Sequence, residues 1–198
     1  MIKIGILAPQ NHKEITKTLL DIFKMNHIIA AVKKNSNDIK KQLNFLEKNG
    51  IEYAIIIFDN QLIYPVALDI LIIDNAPNRH IITYSLVECV TEKTILIYNT
   101  DNGYLPKLEH KNAIDFGLSS NSAITVSSTE FLSETTAFIL YIQRPLSTIF
   151  CEDIPIGEIP IIHINNQDIS NQLPAVILAL ICNIPIYKKI NFSINPAL

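Results

Sequence analysis

Short runs that are apolar at nearly every position recur through the first half of this chain: Ile2–Ala8, Tyr53–Phe58, Leu68–Ile73 and Ile95–Tyr98. A strand with one wet face alternates apolar and polar residues, whereas a run apolar throughout is buried on both faces. His27–Lys33 reads as a further strand. Between these runs lie two amphipathic helices. Lys13–Asn26 places Ile15, Leu19, Ile22 and Phe23 on one face, and Asp38–Asn49 does the same with Ile39, Leu43 and Leu46. Ser36 or Asn37 offers the second helix an N-cap, and Gly50 follows it as a C′ glycine. Tyr84–Val90 carries a short helical pattern. Doubly buried strands alternating with helices predict an α/β fold: a mainly parallel sheet flanked by helices and joined by right-handed crossovers. The sequence carries no strand order.

After about residue 112 the texture changes. Ala113–Leu118, Ala123–Ser128, Ala137–Gln143 and Ser147–Cys151 are short strand-like runs between Ser/Asn/Thr/Pro turns, a pattern that suggests a small antiparallel sheet. Asp168 or Asn171 is placed to cap a final apolar helix ending at Ile181, with Pro174 expected in its first turn, where a missing N–H costs little. Pro185–Leu198 reads as a tail. The expectation is one domain over 1–198: a parallel part over 1–111, antiparallel strands over 112–162, and a helix with tail over 163–198.

Apolar residues make up 48% of the chain, yet the longest apolar stretch, Leu173–Cys182, is far shorter than the roughly 18–20 residues of a membrane span. No secretory leader pattern opens the chain, so the expected place is the cytoplasm, away from membranes. A net charge of −3 gives no electrostatic basis for binding nucleic acid. Cys89, Cys151 and Cys182 are widely spaced without a CxxC pair, which predicts buried thiols rather than a zinc site or disulfides.

The turn Ala8-Pro9-Gln10-Asn11-His12 joins the first strand to the first helix, the place where many α/β proteins hold a phosphate. Such a loop aims consecutive backbone N–H groups inward, in conformations that glycine adopts freely. This turn has no glycine, in a chain with only 5. Pro9 removes a donor, His12 adds bulk, and Glu14 beside Lys13 brings negative charge to the helix start. The plain expectation is a capped helix start with Lys13 and Glu14 both in solvent. Asn99, Asp101 and Asn102 end a strand on the edge where ligands of open sheets sit, in residue types that also make ordinary turns. His80 follows a turn as a candidate metal ligand, but Arg79 beside it would repel a cation. His12, His27, His110 and His163 show no metal spacing. Ser119, Ser120, Ser127 and Ser128 lie in no nucleophile elbow.

Several motifs occur in a familiar order. Ile95-Leu96-Ile97-Tyr98-Asn99-Thr100-Asp101-Asn102 resembles a strand ending in Asn-Ala-Asp-Asp. Ile114-Asp115-Phe116-Gly117-Leu118 followed by Asn121-Ser122-Ala123-Ile124 resembles a Thr-Phe-Gly-Leu turn and the strands beyond it. Ile169-Ser170-Asn171-Gln172-Leu173-Pro174-Ala175 resembles the end of a His-Asn-Val-x-Asn-Ala-Leu-Ala-Ala helix start. Together they resemble the central, ATP-binding domain of the Mur ligase family, the amide-forming ligases of peptidoglycan synthesis and their relatives. The resemblance covers nearly the whole chain. In that family the loop Gly-Thr-Asn-Gly-Lys-Thr-Thr holds phosphate. Its counterpart here is Pro9-Gln10-Asn11-His12-Lys13-Glu14-Ile15, with asparagine and lysine kept and both glycines and all three threonines replaced. The family's magnesium-binding glutamate falls on Ile57, with Asp59 available only in a shifted register. Its Thr-Asn-Ile-x-x-Asp-His falls on Asp74-Asn75-Ala76-Pro77-Asn78-Arg79-His80.

The resemblance implies ATP and magnesium as possible ligands. Asn11, Lys13, Asn99, Asp101, Asn102 and Asn171 are the candidate cofactor-binding residues, with no catalytic residue assigned and His80 the one metal candidate. The family's amino-terminal UDP-sugar domain and carboxy-terminal amino-acid domain are expected to be missing. The expectation is therefore a non-catalytic Mur-ligase-like module for binding or assembly, self-associating or joined to a protein partner, with at most slight nucleotide or metabolite binding. The alternative is an ATP-dependent amide ligase or ATPase completed by a separate subunit.

Overall fold

The computed structural model describes residues 1–58, 63–74, 86–101, 112–131, 136–163 and 169–186. Its elements follow the order β1 (Ile2–Leu7), α1 (His12–Met25), β2 (Ala30–Lys34), α2 (Ile39–Lys48), β3 (Tyr53–Ile57), β4 (Ile70–Ile73), β5 (Ile95–Asn99) and β6 (Ala113–Phe116). Next come β7 (Ile124–Phe131), β8 (Thr136–Ile142), β9 (Leu146–Ser147), β10 (Asp153–Ile154), β11 (Gly157–His163) and α3 (Ile169–Ile181). Nine strands form one sheet in the order β11-β8-β7-β6-β5-β4-β1-β3-β2, and β9 and β10 pair as a separate antiparallel ribbon. From β2 across to β7 every pairing is parallel. Only β7–β8 and β8–β11 are antiparallel within the large sheet.

Both faces of the parallel part are covered, as the doubly apolar runs require. Ile4, Ile6, Ile55, Ile70, Ile72 and Ile97 pack on one face against the buried sides of α1 and α3. Ala54, Ile56, Leu71, Ile73 and Leu96 pack on the other against Leu43 and Leu46 of α2 and against Phe58, Val66 and Leu68. Each fully buried isoleucine contributes about 1.5–3 kcal/mol relative to exposure. Gly5 is needed in β1 because a Cβ there would lie 2.6 Å from Leu68 Cδ1 and 2.8 Å from Phe58 Cε2.

The three helices whose ends are described, α1, α2 and α3, close in the same way. The residue after the cap is left-handed: His27 at φ 57°, Gly50 at φ 74° and Asn183 at φ 54°. The next residue's N–H then reaches back to the helix: Ile28 to Phe23 O, Ile51 to Leu46 O, Ile184 to Ala179 O. This is the Schellman closure, and only one of the three uses glycine. It explains why the second strand begins at Ala30 and not at His27: His27 is used to turn the chain.

Several expectations are corrected. β6 belongs to the parallel part, not to the antiparallel sheet, because it pairs in parallel with β5. Of Ser147–Cys151 only Ser147 lies in a strand, at the end of β9; beyond it the chain turns, with Cys151 at φ 62°. β11 was not anticipated, since Pro160 interrupts its apolar pattern; as an edge strand it tolerates a residue without an N–H. Pro174 falls beyond the first turn of α3. α2 is preceded by Asp38 as N-cap instead of Ser36 or Asn37. Cys89 and Cys182 are buried, but Cys151 is exposed. Of Tyr84–Val90 only Leu86 onward is described; there Leu86 and Val87 are helical as expected, with Val90 N–H donating to Leu86 O at 3.1 Å. Asp168 and the tail beyond Ile186 lie outside the described residues.

Candidate functional site

The connection from β1 leads through α1 to the β2 edge, while that from β4 leads the opposite way to β5, so the carboxyl ends of β1 and β4 flank a topological switch point. Ligands of open α/β sheets sit in that crevice. Here a carboxylate of the chain itself is found in it. Asp74 follows directly on β4, its N–H donates to Leu7 O at 3.0 Å, and it is 1% exposed. Asn11 Nδ2 donates to Asp74 Oδ2 and Asn99 Nδ2 donates to Asp74 Oδ1, each at 2.8 Å. A charge so deeply buried is tolerated only when hydrogen-bonded.

The network continues along the sheet edge. Asn99 Oδ1 accepts the Asp101 N–H at 2.9 Å, and Asp101 Oδ2 accepts the Leu118 N–H at 2.6 Å. Thr100 donates its N–H to Phe116 O at 2.8 Å, and its hydroxyl lies 2.8 Å from Ser122 Oγ. Gly117 admits this interlock: a Cβ there would lie 2.6 Å from both Asp101 Oδ1 and Thr100 Oγ1. A polar seam thus ties the ends of β1, β4, β5 and β6 together.

The turn after β1 closes on itself. Asn11 N–H and His12 N–H both donate to Ala8 O, at 3.1 and 2.8 Å. Two donors that a phosphate cradle would aim at an anion are thereby engaged. Asn11 is the N-cap of α1 yet makes no side-chain cap bond, because its amide is turned to Asp74. The helix starts at His12, one residue earlier than expected. Lys13 is exposed as anticipated. Glu14 is not in free solvent: it is half-buried, and its Oε2 is buried without a hydrogen-bond partner among the described residues.

Of the candidate residues, the structure brings Asn11, Asn99 and Asp101 into one seam. Asn171 sits in the first turn of α3, whose carboxyl end is tied to that of α1 by Asn26 Nδ2 on Pro185 O at 2.8 Å. No hydrogen bond among the described residues joins Lys13 or Asn171 to the seam. Asn102, His80 and Asp59 lie outside the described residues. Asp74, Thr100 and Ser122 complete the seam and were not singled out as site residues; the signal for Asp74 was a carboxylate placed immediately after a doubly buried strand. Among the described residues no group of three or more His, Cys, Asp or Glu side chains gathers as for a metal ion.

A second polar cluster lies on β6. Arg144 Nη2 donates to Asp115 Oδ1 at 2.6 Å, and Ala123 N–H donates to Asp115 Oδ2 at 3.1 Å. Tyr98, the cross-strand partner of Asp115, has its phenol pKa raised by burial and by the Asp115 charge, with Arg144 acting in the opposite sense.

This sheet order, with its parallel part and antiparallel extension, is the fold of the Mur ligase central domain. Among solved structures the chain matches UDP-N-acetylmuramoyl-L-alanyl-D-glutamate–2,6-diaminopimelate ligase with a TM-score of 0.67 at 10% identity, over 94% of this chain and 44% of that one. The UDP-N-acetylmuramoylalanyl-D-glutamyl-2,6-diaminopimelate–D-alanyl-D-alanyl ligase of Acinetobacter baumannii matches at 0.63 and 13% identity, over 94% and 44%. Folylpolyglutamate synthetase from Lactobacillus casei matches at 0.52 and 8% identity, over 94% and 59%. The chain therefore spans less than half the length of those Mur ligases. No family model and no curated protein matches. Among the described residues no helix is long and apolar enough to cross a membrane.

Proposed function

We propose that this chain is a non-catalytic module built on the Mur ligase central-domain fold, acting in binding or assembly. The observation that carries the reading is Asp74, a buried carboxylate clamped by Asn11 and Asn99 in the crevice where a nucleotide phosphate would need positive potential. The residues present do not fit ATP with magnesium. Two turn donors are engaged by Ala8 O, and the Asn11 amide is engaged by Asp74, an acceptor buried in the crevice. Phosphoryl transfer depends on positioned donors, and the two in this turn are already engaged.

The proposed partner is a protein or a second copy of this chain. Ile29 and Val32 at the β2 edge and Phe45 on α2 stay exposed, which supports a covered surface in an assembly. Free Cys89 and Cys182 within the core suit a reducing compartment such as the cytoplasm. The alternative, an ATP-dependent ligase or ATPase completed by another subunit, rests on one observation: Lys13 is exposed in the first turn of α1.

Calorimetric titration with magnesium and a non-hydrolysable ATP analogue separates the two, alongside Lys13→Ala. The module predicts no heat at millimolar nucleotide. Micromolar binding abolished by Lys13→Ala would overturn it.

A further inference from the structure

Among the described residues the large sheet has a gap beside β6. Leu96 N–H donates to Asn112 O and Thr100 N–H to Phe116 O, so the even-numbered residues of this strand bond to β5. Along a parallel ladder, alternate residues serve opposite neighbours. Ala113 and Asp115 therefore turn their backbone N–H and C=O groups away from β5. On that side β7 pairs only at Phe116 with Ile124, where Gly117 N–H donates to Ile124 O. Among the described residues no backbone hydrogen bond reaches Ala113 or the Asp115 N–H.

A cavity of about 710 Å³ opens at this gap, at the opposite end of β6 from the Asp101–Gly117 interlock. It falls within the roughly 300–1,000 Å³ of sites that hold small molecules. Ala113 and Ile114 form one wall, and Arg144, Pro145 and Ser147 the other. Pro145 has no N–H, so this second wall is poorly suited to complete the ladder. Arg144 is 58% exposed and gives Asp115 only one of the donors in its fork. At the amino end of β6 the cavity is bounded by Glu92 and Lys93, whose charges balance.

We propose that this gap is a binding slot for a short extended peptide, two or three residues long with a free carboxylate, which adds to β6 in parallel. One ligand residue donates its N–H to Ala113 O and accepts the Asp115 N–H, the pairing a neighbouring strand would make. Parallel addition directs the ligand's carboxyl end toward Arg144, whose remaining donors suit a carboxylate. Three extended residues span about 10 Å, comparable with the stretch from Asn112 to Asp115. The proposal is independent of the nucleotide question, since the slot and the Asp74 crevice use different residues.

The test is an amide-resolved NMR titration of the ¹⁵N-labelled chain with tri-alanine. The Ala113 and Asp115 amides are expected to shift. N-acetylated, C-amidated tri-alanine should bind about tenfold more weakly, having lost the charge-assisted pair. An ester analogue lacking the central N–H should also bind more weakly. Ser147→Trp, which fills the cavity from an exposed position, should abolish the shifts. Unmoved amides at millimolar tri-alanine, equal binding of the capped or ester peptide, or unchanged binding to a folded Ser147→Trp chain would each overturn the proposal.

Discussion

Replacing Asp74 by alanine removes the hub of the carboxyl-edge seam. Two side-chain amide bonds of 2.8 Å end on its carboxylate. Hydrogen bonds to a charged group contribute about 1.5–3 kcal/mol each. Asn11 and Asn99 are half-buried, so water recovers part of the loss once the acceptor is gone. The expected cost is about 2–4 kcal/mol, a large share of the ~5–15 kcal/mol that holds a domain folded. Asp74→Asn keeps one acceptor oxygen and should lose about half as much. Urea unfolding at constant m measures both variants. The double variant with Asn99→Ala should reveal a coupling of about 1–2 kcal/mol, because the two side chains touch. If Asp74→Ala stays within ~0.5 kcal/mol of the wild type, as a neutral surface change would, Asp74 does not organise this edge and the reasoning fails.

Gly117→Ala should cost about 1–3 kcal/mol in thermal or urea unfolding, since the new methyl would sit 2.6 Å from Asp101 Oδ1 and Thr100 Oγ1. A thiol reagent should label Cys151 rapidly in the native chain and reach Cys89 and Cys182 only on unfolding; fast reaction of all three would contradict their burial. The Cys182 thiol and the Tyr53 phenol are both pushed up to about 12, each mainly by burial. Both groups keep their protons longer when folded, so their contribution is complete below the unfolded values. It declines as pH rises from about 9 for Cys182 and about 10 for Tyr53 toward 12, and because the two groups bond each other they lose it together. Unfolding curves across that range should flatten in Cys182→Ala.

The parallel half of the fold was legible because its strands are buried twice. Ile4, Ile55, Ile72 and Ile97 sit in runs that no half-wet strand would carry, and the helix stripe Ile15, Leu19, Ile22, Phe23 is buried as the period requires. Strand order was not legible, because it is set by which neighbours share a face and not by any one segment's pattern. β6 was misassigned since its four residues, Ala113–Phe116, are too few to distinguish parallel from antiparallel pairing. β11 was hidden by Pro160, which a central strand excludes and an edge strand accepts. Asn11, Asn99 and Asp101 were legible as residues of one edge, but their bonding partners were not. Asp74 stands in the sequence only as the first residue of the Asp74–His80 motif match, and only the fold brings it between two asparagine amides.

The resemblance of the turn after β1 to a phosphate loop invites restoring it. Consider Pro9→Gly, His12→Gly and Glu14→Thr together. If glycine loss alone silenced this site, the triple variant should bind magnesium with an ATP analogue. The geometry argues otherwise. Asn11 remains bonded to Asp74, and Asp74 remains a buried acceptor at the switch point. A phosphate oxygen brought to that crevice meets another acceptor, which already holds the Asn11 and Asn99 amides. The triple variant should therefore stay silent in calorimetry, and binding should emerge only when Asp74→Asn is added. The motif residues that match the ligases best, Asn99, Asp101, Phe116 and Gly117, hold one another through Thr100 and the Leu118 N–H, so the sheet edge gives them contacts of its own. Micromolar binding by the triple variant with Asp74 intact would show that the carboxylate does not close the crevice. The loop chemistry alone would then account for any lack of nucleotide binding.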